Sequence, residues 1–322
     1  MDNGDQLASD ARRIVAELTG DDVVQVQKIE LGVMAYKYAV LSGRGQMYVA
    51  RFYPATRESV VRYEPDLVER CRDLGMRVPE VVGNSKSGPK AALEYMVYKM
   101  LRGRSMHERF ASLTDDALQK ISRELIIELR LLGKAPIAGF GGLVDVEHGR
   151  FGSWMSFIKE VFAEGIEAGR QSPSFSTGLI EGIEVIGERL EKFSYAGPPS
   201  LCWGDISPEN VILDENDELA GLVDFEGVVG AELQLNHGYL RARFAGTRFW
   251  SAFDREWHSH AGFESARSAL YVIVRALRIL RYAREPLPTG VQRLPIADFL
   301  PGLHGAVEEG LSWANARSVP IG

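Results

Sequence analysis

Asp205 and Asn210 stand five positions apart in the run Leu201-Cys202-Trp203-Gly204-Asp205-Ile206-Ser207-Pro208-Glu209-Asn210-Val211-Ile212-Leu213. A second aspartate, Asp224, closes the apolar pair Leu222-Val223 and is followed by Phe225 and Glu226. Between the two stretches, Asp214-Glu215-Asn216-Asp217 reads as a turn. The first pair is therefore expected on a loop between two strands, and Asp224 at the end of a further strand. Phosphoryl transfer needs this set of groups. A carboxylate accepts or orients the proton of an attacking hydroxyl, while an amide oxygen and a second carboxylate hold magnesium between the nucleotide phosphates. An Asn and an Asp suit Mg²⁺, which takes hard oxygen ligands and keeps several waters. The plain alternative is an Asp-rich hairpin with an ordinary turn. Other chemistries lack their signatures: there is no Walker loop ending in Gly-Lys-Ser/Thr, no H-E-x-x-H helix and no G-x-S-x-G elbow. Gly139, Gly141 and Gly142 lack the third glycine of the dinucleotide fingerprint and precede no clear helix, so a loop is expected there.

The elements that must position these groups fall into two regions. The first hundred residues are β-rich. Val24 and Val26 alternate with Gln25 and Gln27, and the period slips near Ile29 and Leu31, as at a bulge or strand end. A second strand, Tyr36 to Leu41, ends in the hairpin turn Ser42-Gly43-Arg44-Gly45, and a third runs from Met47 to Tyr53. Leu67, Val68, Cys71 and Leu74 predict a helix stopped by Gly75, and a strand from Leu93 to Met100 leads into Arg102-Gly103. After Gly103 helices dominate. One carries Leu118, Ile121, Leu125, Leu129 and Leu132 behind an acidic first turn, Asp115-Asp116; a second carries Trp154, Phe157, Ile158, Val161 and Phe162. A tail helix holds Phe263, Ala266, Leu270, Ile273, Val274, Leu277 and Leu280, interrupted by Arg275 and Arg278. The expected fold class is α+β: a small antiparallel β-rich lobe, residues 1–101, and a larger mainly helical lobe, residues 102–322.

Residues 201–226 resemble the catalytic loop of the aminoglycoside phosphotransferase-like kinases (antibiotic, choline and homoserine kinases), whose pattern is H-G-D-x-x-x-x-N followed by I-D-W/F-E/D. Protein kinases run the same logic as H-R-D and D-F-G. The resemblance implies a protein-kinase-like two-lobed fold, with ATP or GTP and Mg²⁺ as cofactors. By it Asp205 is the catalytic base, Asn210 and Asp224 are magnesium ligands, and Glu226 is a further acidic contact to metal. Leu31-Gly32-Val33-Met34-Ala35-Tyr36-Lys37-Tyr38 sits where the nucleotide loop joins the first two strands, making Gly32 a phosphate-loop residue. Tyr48-Val49-Ala50-Arg51-Phe52 matches the strand that carries the phosphate-binding Lys, with Arg51 in its place. Val49, on the same strand face, would pack on the base. Glu64 is the expected partner of Arg51, with Glu69 as the alternative. Without the resemblance, Arg51 and Glu64 would read as surface charges. Lys99, Met100 and Leu101 fall at the hinge, where backbone groups would meet the base. Ser207, where many members have another His, completes the nucleotide-binding set.

Three departures stand out. Trp203 replaces the usual His before Gly-Asp, a residue that mainly braces the loop. Arg51 for Lys keeps the charge and offers a planar fork able to grip two phosphate oxygens. The usual G-D-P-x-x-D-L after the metal aspartate is here Gly230-Ala231-Glu232-Leu233-Gln234-Leu235-Asn236, so Glu232 or Asn236 would stand in for the missing structural Asp.

For the acceptor, Trp250, Phe253 and Trp257 share one helical face, with Asp254 and His258 on the adjoining one. Either they form a pocket wall, together with Glu232, for an amine or hydroxyl, or they are helix packing with a solvated edge. His258 and His260, with no third ligand in sight, read as surface residues rather than a metal site. The resemblance suggests an antibiotic or related natural product as acceptor; choline-like, homoserine-like, sugar-like and nucleoside-like hydroxyl compounds stay open. A catalytically impaired nucleotide-binding module of the kinase fold is the rival from another class. A protein-hydroxyl kinase is disfavoured by the lack of A-P-E and of a long activation loop after Asp224.

Composition bounds these readings. The 322 residues carry 37 Lys and Arg against 44 Asp and Glu, a formal net charge of −7, which argues against nucleic acid and anionic membrane surfaces as partners. Two cysteines, Cys71 and Cys202, exclude a disulfide scaffold and a four-thiolate zinc site. The acidic start and the absence of a long apolar run predict a cytoplasmic chain, as monomer or homodimer.

Overall fold

The computed structural model describes residues 3–30, 34–173, 175–259, 264–282 and 302–316. Helix α1 (Asn3–Thr19) leads into an antiparallel sheet of β1 (Val23–Ile29), β2 (Tyr36–Ser42), β3 (Met47–Tyr53), β4 (Val81–Asn84) and β5 (Glu94–Lys99), in the order β1-β2-β3-β5-β4. Between β3 and β4 lie α2 (Glu58–Val61) and α3 (Glu64–Asp73). Strand β3 is central, and its alternation sorts two cores. Tyr48, Ala50 and Phe52 face Leu7, Ala11, Ile14 and Val15 of α1, while Val49 and Tyr53 face the other way into the main core. Covered on both faces, β3 reads as a continuous apolar run broken only by Arg51. Strand β1 ends at Ile29, where the period slips, and its one register shift lies at its start, between Val23 and Gln25.

Past Lys99 the chain crosses to a second region. There β6 (Arg104–Ser105) pairs with β10 (Val211–Leu213), which pairs in turn with β11 (Leu219–Leu222). Helices α4 (Met106–Arg109) and α5 (Asp115–Gly133) follow β6, each opened by a side-chain cap, Ser105 and Thr114. Strands β7 (Phe140–Leu143), β8 (Gly149–Phe151), β9 (Ser200–Cys202) and β12 (Val229–Ala231) form a small sheet in the order β8-β7-β12-β9. Of the three glycines expected in a loop, Gly141 and Gly142 belong to β7, and Gly139 sits in the bend before it. Gly141 has φ +81° and pairs with Gly230, and a Cβ there would stand 2.7 Å from the Phe151 ring. Close approach, not phosphate binding, explains that glycine.

Helices α6 (Trp154–Arg170), α7 (Thr177–Gly187), α8 (Leu235–Phe244), α9 (Arg248–His258), α10 (Ser265–Tyr282) and α11 (Leu303–Asn315) complete the helical part. Helix α10 is its axis: Leu270 to Leu277 are fully buried except Arg275, which is partly exposed. The architecture is the α+β two-lobed arrangement expected from the sequence. Among the described residues no helix is long and apolar enough to cross a membrane.

Candidate active site

A cleft of about 440 Å³ opens between the sheet of β1–β5 and the β10–β11 hairpin. Its lining includes Val49, Arg51, Tyr98, Met100 and Leu101 from one side and Asp205, Ser207, Asn210, Asp224 and Glu226 from the other. Gly32 lies outside the described residues.

The loop after β9 is held by its neighbours. Trp203 is fully buried, its ring Nε1–H donates to the Asp224 carbonyl at 3.2 Å, and it stacks on Phe225. Its backbone N–H donates to Asn236 Oδ1 at 2.9 Å. Of the two stand-ins for the missing aspartate, Asn236 takes the bracing role. Gly204 is required here, because a Cβ would meet the Gly227 carbonyl oxygen at 2.0 Å. Asn210 closes a 3₁₀ turn and donates from Nδ2 to the Asp205 carbonyl at 3.1 Å, which leaves its amide oxygen as the hard donor. Asp224 sits in the left-handed region at φ +71°, an uncommon conformation for a side chain with a Cβ, and its carboxylate lines the cleft.

Arg51, 1% exposed, joins three carboxylates. Its guanidinium reaches Glu64 Oε1 at 3.0 Å, Asp224 Oδ1 at 2.8 Å and Glu226 Oε2 at 2.9 Å. Glu64, the first residue of α3, also accepts from Tyr53 Oη–H at 2.5 Å and from the Phe225 N–H at 3.0 Å. The alternative partner, Glu69, is exposed. Lys37 Nζ lies 3.1 Å from Asp224 Oδ2. Burial pushes these carboxyls up, and the cations oppose it. At Asp224 burial is outweighed by Arg51 and Lys37, which hold the group below the usual carboxylate range. At Glu226 burial prevails over Arg51, with Asp224 and Glu64 adding to it, and the group is pushed up to about 7. Glu226 Oε2 is buried and has no aligned hydrogen-bond donor despite its ion pair with Arg51. An ionised Asp224, the Asn210 amide oxygen and this carboxylate make a hard-oxygen set that fits Mg²⁺.

Several expected site residues lie elsewhere. Lys99 follows the strand alternation away from Tyr98 and Met100 and pairs with Glu80 at 2.8 Å outside the cleft. The Lys99 and Met100 amides donate to the Glu80 and Met47 carbonyls, so Leu101 is the remaining hinge amide for a base. Glu232 is buried against α10, accepting from Arg267 Nε at 2.9 Å and Tyr271 Oη–H at 3.0 Å; it cross-links the interior rather than lining an acceptor pocket. Trp250, Asp254 and Trp257 are absent from the cleft lining. The apolar face of α9, with Phe249, Phe253 and Trp257 buried, turns into the lobe around His237.

Two cleft residues were given no role by the sequence reading. Arg275 of α10 donates to Asp205 Oδ1 at 2.8 Å and to the Gly204 carbonyl at 2.5 Å, with its guanidinium 5.2 Å from the Tyr239 ring centre. Lys37 reaches Asp224 from β2. Their signal was a cation inside an otherwise apolar, periodic element, visible for Arg275 as the interruption of the tail helix.

No curated protein sequence matches the chain. Solved structures do. A thermostable mutant of aminoglycoside phosphotransferase APH(4)-Ia, in ternary complex with AMP-PNP and hygromycin B, superposes with a TM-score of 0.67 at 13% identity, covering 94% of this chain and 97% of that one. The GDP complex of aminoglycoside 2'-phosphotransferase-IIIa gives 0.65 at 16% identity, covering 95% and 99%. A putative fructosamine-3-kinase from Thermobifida fusca gives 0.59 at 17% identity, covering 95% and 98%. At these identities the likeness shows a shared fold. A family model described as "Phosphotransferase enzyme family" matches residues 25–232, well over half of the sequence. The chain belongs to that family and is a phosphotransferase of the small-molecule kinase type.

Proposed function

We propose that the protein transfers the γ-phosphoryl group of ATP or GTP to a hydroxyl of a small molecule, with Asp205 as the base. The observation that carries this reading is the convergence of Asp205, Asn210 and Asp224 on one cleft beside the buried Arg51–Glu64 pair. Val49 and Met100 would pack on the base, with Leu101 meeting its edge and Arg51 and Lys37 facing the phosphates. Asn210 and Asp224, with Glu226, would hold Mg²⁺, which supplies neutralisation of charge on the phosphates. Asp205, its side chain 40% exposed to the cleft, orients the acceptor hydroxyl and takes its proton. Related structures carrying AMP-PNP or GDP support a nucleotide substrate.

The acceptor proposed is an antibiotic or related natural product, in keeping with the hygromycin B held by one relative. The likeness to a fructosamine-3-kinase supports a second reading, a metabolic kinase for a sugar-like acceptor. A panel of hydroxyl compounds incubated with Mg-nucleotide and scanned for the mass gain of one phosphoryl group separates the two. Absence of both transfer and Mg-dependent nucleotide hydrolysis would instead identify a catalytically impaired module.

Three variants test the assignments. Asp224→Ala should weaken Mg-nucleotide binding at least about tenfold, on the scale of lost metal support; unchanged affinity in a thermal-shift titration removes Asp224 from the metal site. Arg275→Ala should lower kcat by up to about 10²-fold, the cost of a displaced catalytic group, with the nucleotide KM unchanged. Arg275→Lys restores charge but cannot span Asp205 and the Gly204 carbonyl together, so only partial recovery is expected. A rise in nucleotide KM with kcat unaltered would show that Arg275 binds phosphate instead of positioning Asp205.

A further inference from the structure

Away from the cleft, His237 of α8 and Asp254 and His258 of α9 bring one ligand atom each to within 4.8 Å of one another. We propose that these three residues form a binding site for a divalent transition metal, zinc in the first place, which ties α8 to α9. The donor set is two imidazoles and one carboxylate, the mixed nitrogen and oxygen ligation zinc accepts with its fourth position left to water. Asp254 and His258 are four residues apart on one helix and so share a face. The spacing fits. His237 Nε2 lies 2.9 Å and His258 Nδ1 3.4 Å from Asp254 Oδ1, and ligand atoms on a tetrahedral zinc with bonds of about 2.0–2.1 Å stand about 3.3 Å apart.

The ring of His237 is fixed before any metal arrives. Its Nδ1 is 2.6 Å from Ser268 Oγ of α10, the outer hydrogen bond that orients a ligating imidazole. Trp250, Phe253 and Trp257 surround it at 4.9, 6.3 and 5.6 Å between ring centres. The nearby Arg241 is itself paired with Glu309 at 2.9 Å. Asp254 and His258 are partly open to solvent, which gives an entry path.

On binding, the His237 proton sits on Nδ1 and donates to Ser268 Oγ, whose hydroxyl turns from donor to acceptor, and Nε2 presents its lone pair to the metal. His258 gives up its Nδ1 contact with the Asp254 carbonyl, 2.7 Å in the metal-free chain. Two of the elements that carry the site also touch the catalytic loop. Asn236, next to His237, holds the Trp203 amide, and Ser268 lies two helical turns before Arg275.

Zinc chloride titrated into EDTA-treated full-length protein, with excess Mg²⁺ present to occupy oxygen-only sites, tests the proposal by calorimetry and thermal unfolding. Wild type should bind zinc at one equivalent and unfold at a higher temperature with it. His258→Ala and Asp254→Asn should each lose at least about tenfold in zinc affinity, since even an outer partner is worth about 10–100-fold. Both positions are partly exposed, and metal-free melting curves confirm that the variants fold. Cobalt(II) in place of zinc should give a tetrahedral visible absorption that His258→Ala lacks. No zinc binding by wild type, or equal affinity in wild type and both variants, overturns the site.

Discussion

Asp205→Ala is expected to lower the turnover number by about 10²–10⁴-fold, the range of a positioned acid or base, while Mg-nucleotide affinity stays close to wild type. The separation follows from geometry. Asp205 is partly exposed to the cleft, and its carboxylate contacts Arg275 rather than the Arg51–Asp224–Glu226 cluster. Removing it leaves Arg275 with the Gly204 carbonyl and the Tyr239 ring, so no buried charge is orphaned and folding should be little affected. Asp205→Asn sharpens the test. An amide oxygen can still accept from Arg275, so loop position is kept while basicity is lost. Equal loss in both variants identifies proton handling; activity retained in the Asn variant identifies positioning. Single-turnover transfer and calorimetric nucleotide binding read the two quantities separately, and phosphoryl transfer persisting at the wild-type rate in the Ala variant would falsify the assignment.

How much of this was readable beforehand depends on distance along the chain. Asp205, Asn210, Asp224 and Glu226 flank one hairpin, β10–β11, within a short stretch of sequence, so residue type and spacing carried the chemistry. Arg51 and Glu64 were legible only through the family resemblance, since by themselves they read as surface charges. The rest depends on tertiary placement. Arg275 meets Asp205 across seventy positions, and nothing local says which cation in an apolar helix turns to a loop. Helix α9 follows the packing alternative rather than the pocket wall. Its aromatic period told which face turns inward, but the inward partner is His237 from α8, not an acceptor. Helix α1 went unnoticed although Leu7, Ala11, Ile14 and Val15 recur at helical spacing, because the flanking residues are polar. Gly141 was given to a loop because a glycine reports freedom of backbone, and crowding by a ring demands the same residue.

Arg51 separates a structural charge from a surface one, and its removal should have the largest effect on stability. Arg51→Ala is expected to destabilise the protein by about 3–5 kcal/mol, the cost of breaking a buried ion pair by deleting one partner. Three carboxylates would then share the site with Lys37 as the cation left at Asp224 and with only Tyr53 and the Phe225 amide at Glu64. An exposed pair would cost about 0–1 kcal/mol. Urea unfolding at neutral pH therefore decides between the two readings the sequence allowed, and a loss below about 1 kcal/mol would return Arg51 to the surface class. Arg51→Lys should fall between, because a point charge cannot face Glu64, Asp224 and Glu226 at once as the guanidinium fork does. The double change Arg51→Met with Glu64→Leu should recover part of the stability lost in Arg51→Ala, since apolar replacement removes one of the three carboxylates that Arg51 leaves behind, the most deeply buried one. Nucleotide affinity should not recover with it. That split between regained stability and lost binding marks a cation placed for phosphate, at a cost the surrounding carboxylates offset.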